Sequence, residues 1–135
     1  SRRTAATEVC CKGTILLIIA VMLLLLCGCA HSYLGERYLL IRLFKRDNLP
    51  HLFGSDHFTK ATLRFAWHIT TLAWFGFAAL LVLLPESTPV LLTVSIVSAL
   101  SGICAAYFTK GKHLSWLVFF SVSALTLATV INSTA

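Results

Sequence analysis

Four side chains carry the chemistry to hold something: His31, Glu36, His68 and His113. Imidazole nitrogens and carboxylate oxygens are donors that zinc, copper and iron accept, and two imidazoles can hold a haem. His31, His68 and His113 are therefore candidate cofactor ligands, and His31, Glu36 and His68 a candidate metal set. Neither His-x-x-x-His nor Cys-x-x-Cys occurs, so no ligand pair is fixed by local geometry. Any such site has to be assembled from separate segments. His31 and Glu36 lie about 140° apart on an unbroken helix. They share a site only if the chain bends at Gly35.

The competing reading is plainer. A histidine at a membrane boundary commonly hydrogen-bonds a carbonyl or a headgroup, and Glu36 beside Arg37, Arg42 or Arg64 reads as an ion pair tying two helices together. No phosphate loop, Ser/His/Asp arrangement or pair of catalytic carboxylates is recognisable. No catalytic residue is expected, and the default is that no cofactor is bound.

The elements that position these residues follow from composition. The chain has 135 residues, 58% hydrophobic and 12% charged. Soluble chains run about 45–50% apolar and about 25% charged, so lipid must cover much of this one. Four apolar runs are long enough to span a bilayer, at about 14–31, 63–84, 90–108 and 113–131. The expectation is an all-α integral membrane bundle of four helices forming a single domain over residues 1–135. Pro85 and Pro89 bracket a tight connector, making the second and third helices an antiparallel hairpin. The first run also fits a signal peptide, but Cys27 fits a lipoprotein cleavage box poorly.

Residues 32–62 form a basic loop and interfacial segment. Arg42, Lys45 and Arg46 fall on one helical arc, which suits lipid headgroups. The same periodicity fits a continuation of the first helix with its apolar face packed on neighbours. His51 and His57 sit in the loop that follows. Ser98, Gly102 and Ala106 recur every four residues and predict a helix–helix contact. Ser121, Ala124 and Ala128 are the corresponding small face of the last run. Trp67 and Trp116 are expected near the basic interface, with Trp74 deeper between helices.

The net charge is +6. Basic loops beside membrane helices account for it, and no nucleic acid partner is expected. Arg2, Arg3 and Lys12 lie at one end. Arg37, Arg42, Lys45, Arg46, Lys60, Arg64, Lys110 and Lys112 lie at the other, with all five histidines. The positive-inside rule puts that second end in the cytoplasm, or the matrix of an organelle, with both termini on the less basic side. The membrane expected is a bacterial or an organellar inner membrane. Five cysteines, in an odd count and without a paired spacing, imply no disulfide framework. Cys27, Cys29 and Cys104 are read as small hydrophobes.

His31-Ser32-Tyr33-Leu34-Gly35-Glu36, followed by Leu49-Pro50, Phe53-Gly54 and Thr62-Leu63-Arg64-Phe65-Ala66-Trp67-His68, resembles a group of small four-helix bacterial integral membrane proteins of uncharacterised activity. The resemblance covers roughly residues 15–130 and implies the four-helix fold, not an activity. The function expected is a small non-catalytic accessory or structural subunit of a larger membrane complex, with lipids and other membrane subunits as partners. The alternative is a metal- or haem-binding membrane protein with a histidine site at the basic face.

Overall fold

The computed structural model describes residues 2–134, with side chains from residue 11 onward. The side chains of Arg2, Arg3, Glu8 and Cys10 lie outside the described residues. Helix α1 spans Arg2–Leu34 and runs without interruption into a π-helical turn, Gly35–Leu40, and a last short piece, α2 (Ile41–Leu43). Helix α3 is His57–Leu83, α4 is Thr88–Thr109 and α5 is Ser115–Thr134. These four long helices (α1, α3, α4 and α5) are apolar enough to cross a membrane, and the fold is an all-α membrane bundle.

Between 17% and 28% of the most apolar window of each span is buried inside the bundle. The rest faces outward as Ile, Leu, Val and Phe. In water this would be an apolar surface far larger than soluble monomers carry. A bilayer makes it the ordinary solvent-facing side.

Helix lengths explain where the charges sit. A 20-residue helix is about 30 Å long, the thickness of the hydrocarbon layer. α5 and α4, at 20 and 22 residues, match it. α3 has 27 residues and the α1 helix continues to Leu43, so both overshoot at the basic end. Glu36, Arg37, Arg42, Lys60 and Arg64 ride on the overshoot.

α1 is the central element: it packs on α3 on one side and on α5 on the other, while α4 pairs with α5. α3 and α4 barely touch despite their short connector, so the expected hairpin exists in chain direction and not as a packed pair. The core is built from Leu17, Ala20 and Leu24 of α1 with Leu81, Leu91 and Val122 of the other three helices. Ser98 and Gly102 are buried as expected, with Ala106 half-buried beside them. A Cβ on Gly102 would stand 3.0 Å from the Phe120 ring of α5. The small face assigned to α5 is corrected. Ser121 and Ala124 are exposed, and Val122, Thr126, Thr129 and Val130 are buried instead. Thr126 and Thr129 can face the core because each hydroxyl donates to the carbonyl four residues back, at 2.9 Å.

The α4–α5 turn closes with Lys110 in the left-handed region, φ 51°, followed by Gly111 at φ 74°. Gly111 N–H donates to the Ala106 carbonyl at 2.8 Å, the long bond of a Schellman end. The turn delivers Lys112 and His113 to the same end of the bundle as His31.

Candidate functional site

α1 and α3 meet at the basic end along two matching polar stripes. Gly28 and Ser32 of α1 and Glu36 of the π-helical turn recur every four residues; Arg64, His68 and Thr71 stand opposite on α3. Arg64 grips Glu36 with two prongs, Nη2 to Oε1 at 2.7 Å and Nε to Oε2 at 3.1 Å. His68 Nε2–H donates to the second carboxylate oxygen at 3.2 Å. His68 Nδ1 lies 2.9 Å from Ser32 Oγ, which lies 2.7 Å from Thr71 Oγ1. Thr71 Oγ1 reaches the Gly28 carbonyl at 3.3 Å. Of the three partners expected for Glu36, Arg64 is the one it takes.

This chain of bonds admits two proton arrangements. With neutral His68, Ser32 O–H donates to Nδ1 and Thr71 O–H donates to Ser32. With an imidazolium, Nδ1–H donates to Ser32, Ser32 donates to Thr71, and Thr71 donates to the Gly28 carbonyl. Both leave every group satisfied. Sequence reasoning missed the Ser32–His68–Glu36 contact, although the two stripes could have suggested it. The grouping has the composition of a nucleophile, base and orienting acid. Ser32 points at Thr71 between the two helices, and neither Ser32 nor His68 lines either of the two described cavities. Interhelical hydrogen bonds in membranes average about 0.6 kcal/mol, so the seam sets the register of α1 on α3 more than it supplies stability.

The π-helical turn is the local device behind this fit. Ile41 N–H donates to the Glu36 carbonyl, five residues back. The wider turn begins at Gly35, where a Cβ would fall inside the indole of Trp67. The chain does not need the expected bend. It changes its winding, and His31 and Glu36 both face α3. Such π turns occur often at functional sites.

His31 takes a different partner from the rest of the set. Its Nε2–H donates to the Trp67 carbonyl at 3.2 Å, and Trp67 Nε1–H donates back to the His31 carbonyl at 3.0 Å. The two rings stack 4.4 Å apart. Trp74 packs its ring edge against both His31 and Phe119, deeper in the bundle as expected. His113 is exposed, and its Nδ1 bonds Ser115 at the start of α5.

The metal set is therefore not assembled as expected. Glu36 and His68 touch, but His31 is turned away onto Trp67. Among the described residues no group of three or more His, Cys, Asp or Glu side chains converges as a metal site. His68 is likewise separated from His31 and His113, which share the lining of one cavity. His51 stays in the loop, whereas His57, expected there, opens α3; both lie away from both arrangements. Arg42 stacks over Tyr38, and Lys45 and Arg46 are exposed at the end of the first helix.

The fold and this seam define a small four-helix integral membrane protein. Against family models, curated proteins and solved structures, the chain has no match.

Proposed function

We propose that this protein is a non-catalytic accessory subunit that packs against another membrane protein through the outer face of α3. The observation that carries the reading is Gly76. A Cβ built there meets nothing within 4 Å. Phe65, Ile69, Leu72, Gly76, Ala79 and Leu83 are all exposed and recur at alternating intervals of four and three. That is the spacing of a seam between helices. Glycine weakens a helix interior by about 1 kcal/mol relative to alanine, and in lipid small residues let a second helix backbone approach closely. α3 packs on α1 and hardly on α4, so its far side has no helix of this chain to meet.

The two stretches that resemble small bacterial four-helix proteins, His31–Glu36 and Thr62–His68, are the ones bonded to each other across the seam. This supports a structural scaffold rather than a reaction centre. The charge asymmetry supports a bacterial or organellar inner membrane with the basic end inside and both termini outside.

The test is affinity purification from its native membrane of wild type, Gly76→Leu and Gly102→Leu. Gly76→Leu should lose a co-purifying membrane protein while keeping its melting temperature. Gly102→Leu should melt lower, because its clash is with Phe120. Co-purification unchanged in Gly76→Leu would overturn the proposal. The metal or haem alternative rests on His31 and His113 sharing a cavity, and a colourless, metal-free preparation would end it.

A further inference from the structure

At the basic end, α1, α3, the α4–α5 turn and the start of α5 enclose a half-open cavity of about 770 Å³. This falls within the range of small-molecule sites, about 300–1,000 Å³. Leu34, Leu39, Trp67, Trp74 and Phe119 make its apolar walls. Leu34 and Leu39 are also about half exposed on the outside of the first helix. The cavity is therefore continuous with the lipid-facing surface and opens sideways. The other groove, some 320 Å³ at the opposite end, is lined by Thr14 and apolar side chains with no charge.

What distinguishes the larger cavity is its rim. Lys112 and His113 stand there. The described ion pairs of this end take Glu36 with Arg64 and His68, and Asp56 with Lys60. No acidic side chain among the described residues pairs with Lys112. An apolar slot that opens into the bilayer beneath an uncompensated cation is complementary to one kind of occupant. We infer that it binds an anionic phospholipid of the surrounding leaflet, one acyl chain lying between Trp74 and Leu39 and the phosphate held by Lys112 and His113. A zwitterionic lipid would fill the slot equally but bring its own cation to the rim.

The site can be read by its own tryptophans. Trp67 and Trp74 line it and Trp116 does not, so the full chain carrying Trp116→Phe reports on it. The protein is reconstituted in phosphatidylcholine vesicles with graded amounts of brominated phosphatidylglycerol or brominated phosphatidylcholine. Brominated phosphatidylglycerol should quench at roughly fivefold lower mole fraction, the effect of about one basic side chain near an anionic headgroup. Lys112→Gln should abolish the preference. Arg42→Gln, at the same end but outside the cavity, should keep it. Ala30→Phe, which fills the cavity from α1, should remove the saturable quenching with Lys112 still present. Equal quenching by the two lipids in the parent protein would overturn the inference, and needs no further variant. So would a preference that survives Lys112→Gln or falls equally in Arg42→Gln, which would show general surface attraction.

Discussion

His31 and Trp67 hold each other from both ends. Each ring N–H donates to the other residue's carbonyl, at 3.2 and 3.0 Å, and the rings lie 3° from parallel. A carbonyl has two lone pairs, so each can take the ring while keeping its place in the helix ladder. The pair bolts α1 to α3 one turn from the Glu36–Arg64 contact.

His31→Ala should therefore cost about 1–3 kcal/mol, since it strands the indole's partner geometry as well as one bond. Trp67→Phe keeps a ring but loses the N–H and should cost about 0.5–1.5 kcal/mol. Unfolding in detergent measures both. The double variant should show a coupling of about 0.5–3 kcal/mol. Simple additivity would mean that the two bonds do not act together.

Gly35 is the position where a single methyl should do most damage. Its Cβ would sit within the Trp67 indole, and the indole cannot swing aside without losing its bond to the His31 carbonyl and its stack on the His31 ring. Gly35→Ala is expected to destabilise by about 1–3 kcal/mol, the cost of overpacking. Gly76→Ala has open space and should be neutral or stabilising by up to about 1 kcal/mol. Thermal melts of the two variants compare them directly, and equal melts would remove the claim that Gly35 is a contact glycine.

Four apolar runs made the bundle legible from sequence, because only helices of that length and polarity satisfy the backbone in lipid. The buried set was less legible. Ser98 and Gly102 were found by their spacing, but of Ser121, Ala124 and Ala128, which show the same kind of spacing, the first two are exposed and only Ala128 is half-buried. Small-residue periodicity marks a face and does not choose which face is buried. The seam was written in the chain as Gly28, Ser32 and Glu36 against Arg64, His68 and Thr71. Reading it needed the rotation and register of α1 on α3, and the π turn at Gly35 that no periodicity announces. The histidines looked like one set because all five fall at one end; their partners, a carbonyl for His31 and a carboxylate for His68, separate them.

The start of α3 should respond to acid. Lys60 hydrogen-bonds Asp56 across one helical turn, at 2.5 Å, and holds its carboxyl below the ordinary aspartate range. A depressed carboxylate contributes stability above its unfolded pKa and loses it as pH falls through the lowered value. The pair is half-exposed and screened by solvent, so the effect is confined to local fraying. Amide exchange of residues 57–60, corrected for intrinsic rate, should show protection at neutral pH that falls in strong acid. In Asp56→Asn that pH dependence should be absent. Persistence of the acid-induced loss in Asp56→Asn would assign it elsewhere.

The orientation of the bundle makes the last prediction. The α3–α4 connector and the end of α5 lie at the end where α1 begins, since Thr14 and Pro85 line one groove and a Cβ built on Gly13 would stand 3.7 Å from Thr129. Cys11 is exposed at that level. Ser55, in the loop between Leu43 and His57, is exposed at the other end. Lys and Arg are concentrated on the Ser55 side, and translocating that side would carry eight cations across the membrane rather than three. In intact cells a membrane-impermeant maleimide should therefore label a protein whose single cysteine is Cys11. It should spare one whose single cysteine is placed by Ser55→Cys until the cells are opened. The opposite pattern would invert the topology, and would place the cavity rim at Lys112 and His113 on the outer leaflet.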